Sequence, residues 1–230
     1  MRAKIGICIP WSGSSSRRHL FDYVYARFQE LFPDVPIYLG NQPKALHFNL
    51  SAARNIACEA ALADGCEILI VSDADVVIDK ENLEKAVEAV ASGEHHFAVP
   101  HEIFAYLKED ATVDVINGVK DPVMADVYTS GSWSCGVTVI SAQCFKALNG
   151  WDERFLSWGQ EDDAFTAAYQ TIYEKTEYKV PGVLYTLWHK DRDLTYEKSN
   201  LARIRKYSDE LTKDKMSLTL YLLRNRIDWG

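Results

Sequence analysis

Residues 67–75 read EILIVSDAD, an apolar run that leads directly into two carboxylates. A short continuous apolar run is typical of a strand that is buried on both faces of a parallel sheet. Asp73 and Asp75 then follow at the carboxyl end of the strand, where such sheets bind their ligands. Two carboxylates at positions i and i+2 can share a divalent cation with phosphate oxygens. Aspartate is also common in capping turns, so this short motif alone leaves both interpretations open.

Strand and helix patterns alternate on both sides of this stretch. Strands are predicted over residues 4–10, 35–39, 67–72, 96–100, 136–141 and 183–188. Helices are predicted over residues 17–32, 50–63 (with Asn49 as N-cap), 80–91, 142–148, 161–173 and 197–211. The alternation predicts an α/β fold with a mainly parallel sheet and helices on both faces. Residues 103–128 show no clear pattern. We expect one domain over residues 1–211 and a helical tail over residues 212–230.

The composition excludes several classes of protein. Hydrophobic residues make up 47% of the 230 residues, enough for a packed core and too many for a disordered chain. A net charge of −8 argues against a dedicated nucleic-acid-binding protein, which needs a basic face. The five cysteines form no CxxC pair, which predicts free thiols in a reducing compartment. No apolar run approaches the ~20 residues of a membrane span, and no signal peptide precedes the first strand. We therefore expect a cytoplasmic protein.

A second informative stretch, residues 150–163, reads GWDERFLSWGQEDD. It combines five acidic residues with Trp151, Phe155 and Trp158. A solvated acidic run would not contain these aromatic residues, and a core helix would not carry three consecutive carboxylates. Apolar walls around clustered carboxylates position them and tune their basicity. The stretch therefore predicts an active site rather than a structural turn.

Three further features are ambiguous when each is taken alone. Arg54 opens the helix over residues 50–63, where it could face an anion or simply lie on the surface. Residues 130–136, SGSWSCG, place small residues around Trp133 and would suit the close approach of a polar ligand, or would form a plain loop. His189 follows an apolar strand, and an isolated histidine of this kind is usually structural. It gains weight only beside a metal site, because one imidazole is compatible with Mn²⁺.

In this order along the chain, the motifs resemble those of a glycosyltransferase of the GT-A fold, over about residues 4–189. The strand ending in Pro10, the segment SAARN (residues 51–55) and the Asp73–Asp75 motif are similar to family 2 glycosyltransferases. Residues 150–163 resemble the acceptor-side motif of β-1,4-galactosyltransferases, chondroitin-polymerase-like enzymes and polypeptide GalNAc-transferases. The resemblance implies a Rossmann-like, three-layer α/β/α fold with a mixed, mainly parallel sheet.

The resemblance also implies roles on the donor side of the site. Asp75 and His189 would bind Mn²⁺ or Mg²⁺, and Asp73 would lie at the ribose or the metal. The metal would bridge the diphosphate of a nucleotide sugar, most simply a UDP-sugar, and offset charge on the leaving group. The nucleotide would be bordered by Pro10, Trp11 and Arg54. The sugar pocket would be shaped by Trp133, Trp158 and Gly159.

On the acceptor side, the resemblance implies that Asp162 is the catalytic base that takes the proton of an acceptor hydroxyl. Glu161 would hold hydroxyls of the donor sugar, and Asp163 would position either substrate. Retaining relatives with a similar Trp-Gly motif tend to carry Asn where Asp162 stands, so a carboxylate here favours inversion. The acceptor could be a saccharide, a protein side chain or a modified DNA base. For DNA, the contacts would come from the basic residues after His189, which a solvated helix explains equally well: Lys190, Arg192, Lys198, Arg203, Arg205, Lys206, Arg224 and Arg226.

Two departures from the family pattern leave alternatives open. The opening loop, residues 11–17, lacks the usual Thr/Tyr-Asn pattern, which leaves recognition of the base open. The chain also lacks the membrane anchor and lectin domain of secretory-pathway relatives, which suggests a bacterial or phage source. One alternative function is that of a sugar-nucleotidyltransferase, although residues 12–18 only partly imitate its triphosphate loop. The other is a non-catalytic carbohydrate-binding protein on the same scaffold. The sequence carries no signal for the oligomeric state.

Overall fold

The computed structural model describes residues 3–42, 47–190 and 194–228, so Arg192 lies outside the described residues. The strands are β1 (Ile5–Pro10), β2 (Ile37–Gly40), β3 (Ile68–Ser72), β4 (Val76–Val77), β5 (Phe97–Val99), β6 (Ile103–Leu107), β7 (Val127–Gly131), β8 (Val137–Ser141), β9 (Tyr178–Lys179) and β10 (Val183–Thr186). The helices are α1 (Arg18–Leu31), α2 (Leu50–Ala63), α3 (Lys80–Ala91), α4 (Glu109–Ile116), α5 (Ala142–Leu148), α6 (Glu161–Tyr173), α7 (Glu197–Lys206) and α8 (Lys215–Leu222). A 3₁₀ turn, Pro122–Met124, and a π-helical turn, Tyr207–Leu211, complete the described elements.

The main sheet has six strands in the order β2-β1-β3-β8-β5-β9. β1 pairs in parallel with β2 and β3, and β5 pairs in parallel with β9. β8 is antiparallel to both of its neighbours, β3 and β5. The predicted α/β class and its mixed, mainly parallel sheet are confirmed.

Side chains that alternate along the central strands explain why helices cover both faces of this sheet. In β3, Ile68 and Ile70 pack in one core cluster, whereas Leu69 and Val71 pack in the other. The first cluster contains apolar residues of α1 and α3, and the second contains those of α2, α5 and α6. Because successive side chains of a strand point to opposite faces, a fully apolar strand needs a layer on each side.

Local signals placed the helices accurately. Helix α2 has the predicted bounds, and the side chain of its N-cap Asn49 accepts a hydrogen bond from the backbone N–H of Ala52 at 2.8 Å. Helices α3, α5 and α6 also begin and end where the patterns predicted. The predicted helix over residues 197–211 is α7 followed by the π-helical turn.

A second sheet of four strands, in the order β4-β10-β6-β7, was not predicted. It is formed largely by residues 103–131, where the sequence shows no clear pattern. β10 pairs in parallel with β6 and antiparallel with β4, the two-residue strand that directly follows Asp75. This sheet therefore connects the Asp73–Asp75 motif with the segment that leads to His189.

The predicted helical tail is packed against the domain. Leu218 and Leu222 of α8 are buried in the second core cluster. Beyond α8, Arg226 Nη1 lies 2.7 Å from Glu153 Oε1, and the backbone N–H of Ile227 donates to Glu153 Oε2 at 2.9 Å. The tail thus holds residue 153 of the acidic and aromatic stretch in place. Among the described residues, no helix is long and apolar enough to cross a membrane.

Candidate active site

A cleft of about 690 Å³ opens at the carboxyl ends of β1 and β3. One wall is formed by the ends of these strands and the loop that follows β1, and the second sheet forms the opposite wall. Residues 157–163 line it as well. The predicted site residues that line the cleft are Pro10, Trp11, Asp73, Asp75, Trp133, Trp158, Gly159, Glu161, Asp162 and His189. Arg54 lies beneath the surface of the cleft and contacts two of these residues.

Asp75 and His189 meet at one side of the cleft. His189 Nε2 lies 3.1 Å from Asp75 Oδ2. The antiparallel pairing of β4 with β10 brings the two residues together, and the backbone N–H of Leu187 donates to the carbonyl of Asp75 at 2.8 Å. Arg17 approaches the same pair, with Nη2 2.9 Å from His189 Nδ1 and Nη1 3.7 Å from Asp75 Oδ2.

Arg54 is the centre of a second, buried cluster of charges. Its Nη1 donates to Asp162 Oδ1 at 2.6 Å and its Nη2 to Asp73 Oδ1 at 2.8 Å. Glu161 Oε1 lies 4.0 Å from Nη1. The Arg54 side chain is only 3% exposed, so the predicted anion partner of this arginine is a set of protein carboxylates in this structure.

This crowding changes the protonation of the carboxyl groups. Burial, with the negative charge of Asp162 added to it, raises the pKa of Glu161 to about 8. Burial likewise raises the pKa of Asp73 to about 6, against the opposing effect of the Arg54 charge. Burial on its own would lower the pKa of Arg54, but Asp162, Asp73 and Glu161 hold it well above its usual value. Near neutral pH, the cluster therefore carries a fixed cation beside carboxyl groups that differ in protonation.

The segment before α6 has an unusual backbone that aims its polar groups at the cleft. Ser157, Gly159 and Gln160 all have positive φ, at 60°, 108° and 72°. For Ser157 and Gln160 this conformation is costly, and such strain concentrates at functional sites. The turn lets Glu161 Oε2 accept a hydrogen bond from the backbone N–H of Gly159 at 2.8 Å. Helix α6 then begins with three carboxylates, which its N-terminal dipole stabilises.

Trp151 links this turn to the buried cluster. Its ring stacks on Phe165 of α6 with 4.2 Å between centroids, and its Nε1 donates to Asp162 Oδ1 at 3.3 Å. Both Trp151 and Arg54 therefore bind the same oxygen of Asp162. The second oxygen, Oδ2, has the longer contact of 3.4 Å to Arg54 Nη2.

Aromatic side chains form the far wall of the cleft. Trp133 is 43% exposed and packs edge-on against Phe104 and Tyr106 of the second sheet. Trp158 is 39% exposed on the other side. Sequence reasoning found the two tryptophans but missed Tyr106 and Tyr128, which sit on strands that were not predicted. It also gave Arg17 no role at Asp75, although a basic residue after the Ser-rich opening loop was a usable signal.

The comparisons with known families agree with this geometry. Residues 43–130 match the family described as glycosyl transferase family 2, and residues 124–183 match the one described as the N-terminal domain of galactosyltransferase. The chain carries a glycosyltransferase domain of the GT-A fold. The two matches together include the Asp73–Asp75 motif, Trp133 and residues 150–163. No protein with a curated description matches the chain.

Solved structures support the fold of this glycosyltransferase domain. A mutant Drosophila β1,4-galactosyltransferase 7, in complex with manganese, UDP-Gal and xylobiose, is similar with a TM-score of 0.51 at 13% identity, over 86% of this chain and 79% of that chain. The catalytic domain of the same enzyme with xylobiose gives 0.47 at 16% identity, over 78% of this chain and 64% of that chain. This chain therefore spans less than two thirds of that structure. Mycobacterium tuberculosis glucosyl-3-phosphoglycerate synthase, with Mn²⁺ and UDP-glucose, gives 0.48 at 9% identity, over 90% and 78%.

Proposed function

We propose that this glycosyltransferase domain transfers a sugar from a UDP-sugar to an acceptor hydroxyl, with inversion at the anomeric carbon and with Asp162 as the general base. One observation carries the proposal. A single cleft contains the Asp75–His189 pair on one side and the Asp162 carboxylate on the other. Diphosphate binding and acceptor activation therefore have separate groups within one site.

The residues present fit a divalent metal ion at Asp75 and His189. A carboxylate oxygen with one imidazole nitrogen suits Mn²⁺, and both atoms converge at 3.1 Å. Among the described residues, no three potential His, Cys, Asp or Glu ligands lie together. The remaining ligands would come from the diphosphate and from water, as is usual at nucleotide sites. When bound, the ion would offset the negative charge that builds on the departing UDP.

Asp73 is proposed on the donor side rather than as a principal metal ligand. One of its oxygens is engaged by Arg54 at 2.8 Å, which leaves the other to meet the nucleotide. Pro10 and Trp11 would border the base and ribose. A UDP donor and manganese are favoured because both occur with the similar galactosyltransferase structure.

Asp162 is oriented for proton transfer. Arg54 and Trp151 both bind Oδ1, so Oδ2 is the oxygen that would accept the proton of the acceptor hydroxyl. The acceptor oxygen then forms a bond to the anomeric carbon as the bond from that carbon to the UDP oxygen breaks. Trp133 and Trp158 would stack on the sugar faces, and Glu161 would hold hydroxyls of the donor sugar. The proposed acceptors remain a saccharide, a protein side chain or a modified DNA base.

The decisive test is the Asp162→Asn variant. The amide cannot take the proton but preserves the size of the side chain, so we expect UDP binding to persist while transfer falls by about 10²–10⁴-fold. Calorimetry with UDP and Mn²⁺ measures binding, and release of UDP during a screen of sugar donors and acceptors measures transfer. Asp163→Asn, which alters the exposed neighbouring carboxylate, is the matched control. Near-normal transfer by Asp162→Asn would refute its role as base.

Stereochemistry tests the proposed inversion separately. An α-linked UDP-sugar should yield a β-linked product, which proton NMR of the anomeric centre distinguishes directly. An α-linked product would refute inversion while leaving the glycosyl transfer itself intact.

A further inference from the structure

Arg17 lies where a cation is expected. Its guanidinium contacts both proposed metal-binding side chains, at 2.9 Å from His189 Nδ1 and 3.7 Å from Asp75 Oδ2. Its side chain is 33% exposed at the mouth of the cleft. The positive charge of Arg17 therefore offsets that of Asp75 in the metal-free structure.

The hydrogen bonds also leave His189 without an available lone pair. A guanidinium can only donate, so Nδ1 of His189 accepts from Arg17. The single proton of the neutral ring is then on Nε2, where it faces Asp75 Oδ2 at 3.1 Å. A metal ion cannot bind the ring in this arrangement, and it would also meet repulsion from the nearby guanidinium.

The position of Arg17 allows it to turn elsewhere within the same cleft. It immediately precedes α1 and follows a loop of small polar residues, in which Ser12, Ser14 and Ser16 also line the cleft. The planar fork of an arginine matches the oxygens of a diphosphate. A rotation of a partly exposed side chain would therefore exchange the carboxylate for a phosphate partner.

We propose that Arg17 holds the place of the divalent cation while the donor is absent, and turns to the donor diphosphate when the cation binds. This inference rests on the proposed function, because it takes the metal site to be Asp75 and His189. Its consequence is coupling. The metal alone must displace Arg17 without replacing its contacts, whereas metal with UDP provides Arg17 with a new partner. Each ligand should then strengthen the binding of the other by the same factor.

The test measures Mn²⁺ binding without any turnover. The electron paramagnetic resonance signal of free Mn²⁺ is titrated against the full chain, with and without UDP, for the wild type, Arg17→Gln and Arg18→Gln. Arg18 is a matched control because it is more exposed and pairs with Asp22 on α1. In Arg17→Gln we expect Mn²⁺ alone to bind about tenfold more tightly, and the enhancement by UDP to fall by at least about tenfold. Arg18→Gln should resemble the wild type.

The outcomes separate this inference from the proposed function. If Arg17→Gln binds Mn²⁺ alone no more tightly than the wild type does, although both bind it with UDP, the exchange is refuted and the metal site stands. If neither protein binds Mn²⁺ even with UDP, the metal site itself is refuted, and the exchange with it. An Arg17→Lys variant, which keeps the charge, should still bind Mn²⁺ alone weakly. Binding as tight as that of Arg17→Gln would overturn the competition between charges.

Discussion

Two arginines meet carboxylates at the site, and they do so in opposite ways. Arg54 is 3% exposed and donates to Asp162 and Asp73 at 2.6 and 2.8 Å. Arg17 is 33% exposed and lies 3.7 Å from its carboxylate, Asp75. Arg54 is on a capped helix in the core, whereas Arg17 ends a loop at the mouth of the cleft.

The difference in burial separates a fixed cation from an exchangeable one. Removing a buried charge leaves its partners without compensation, whereas water and salt largely replace an exposed pair. Arg54 therefore fixes the positions of the proposed base and of Asp73 throughout a reaction cycle. Arg17 can leave its partners at little cost, which is what exchange with a metal ion requires.

The largest expected effect comes from replacing each arginine by methionine. Arg54→Met leaves two of its carboxylates without their hydrogen-bonded cation, so we expect a loss of about 3–5 kcal/mol in the free energy of unfolding. Arg17→Met should lose less than about 1 kcal/mol. Urea unfolding followed by circular dichroism measures both. Similar losses for the two variants would show that burial does not distinguish these arginines.

A second experiment tests what keeps the Arg54 cluster in place. Asn55, the next residue on α2, donates to the carbonyl of Trp151 and to Glu153 Oε1, both at 2.9 Å. Glu153 is bound in turn by Arg226 of the tail at 2.7 Å. Residues 150–153 are thus held between α2 and the tail.

We expect Arg226→Ala to lower the free energy of unfolding by about 2 kcal/mol, since it removes a charge-assisted hydrogen bond from a buried carboxylate. Arg224→Ala is the matched control, because Arg224 is exposed on the same segment. Urea unfolding of the two variants gives the comparison. If both variants lose equally little, the tail does not hold these residues.

Local signals were enough to predict most of the main sheet and its helices. Helix α2 was predicted to the residue because an N-cap asparagine precedes an alanine-rich run, and both act over a single turn. The second sheet was missed because β4 has two residues and β6 has five, with partners far away in the chain. Short strands of this kind are set by tertiary pairing rather than by their own periodicity.

The site was predicted as a set of residues but not as a geometry. The resemblance joined His189 to Asp75, and the pairing of β4 with β10 that brings them together has no local signal. The helix-start position of Arg54 indicated an anion partner, but the carboxylates that fill this role come from two distant motifs. The sequence has no periodic feature that pairs Arg17 with Asp75, because the contact joins two loops.

The smallest effect, a pH dependence, tests the buried cluster itself. The pKa of Glu161 is raised from 4.5 to about 8, so between these values the native state binds more protons than the unfolded state. Stability must therefore fall as the pH rises from about 4.5 to about 8, with a slope of at most about 1.4 kcal/mol per pH unit. Glu161→Gln cannot titrate, so this contribution is absent from the variant.

The measurement is the free energy of unfolding of the wild type minus that of Glu161→Gln, by urea at several pH values from 5 to 8. We expect this difference to decline steadily as the pH rises, because only the wild type must lose the proton from a desolvated carboxyl group. Glu88→Gln, at an exposed position on α3, controls for the loss of one carboxyl group. A difference that stays constant, or that grows with pH, would mean that Arg54 compensates the Glu161 charge fully. The buried arginine would then neutralise all three neighbouring carboxylates, and the site would carry no protonated carboxyl group at neutral pH.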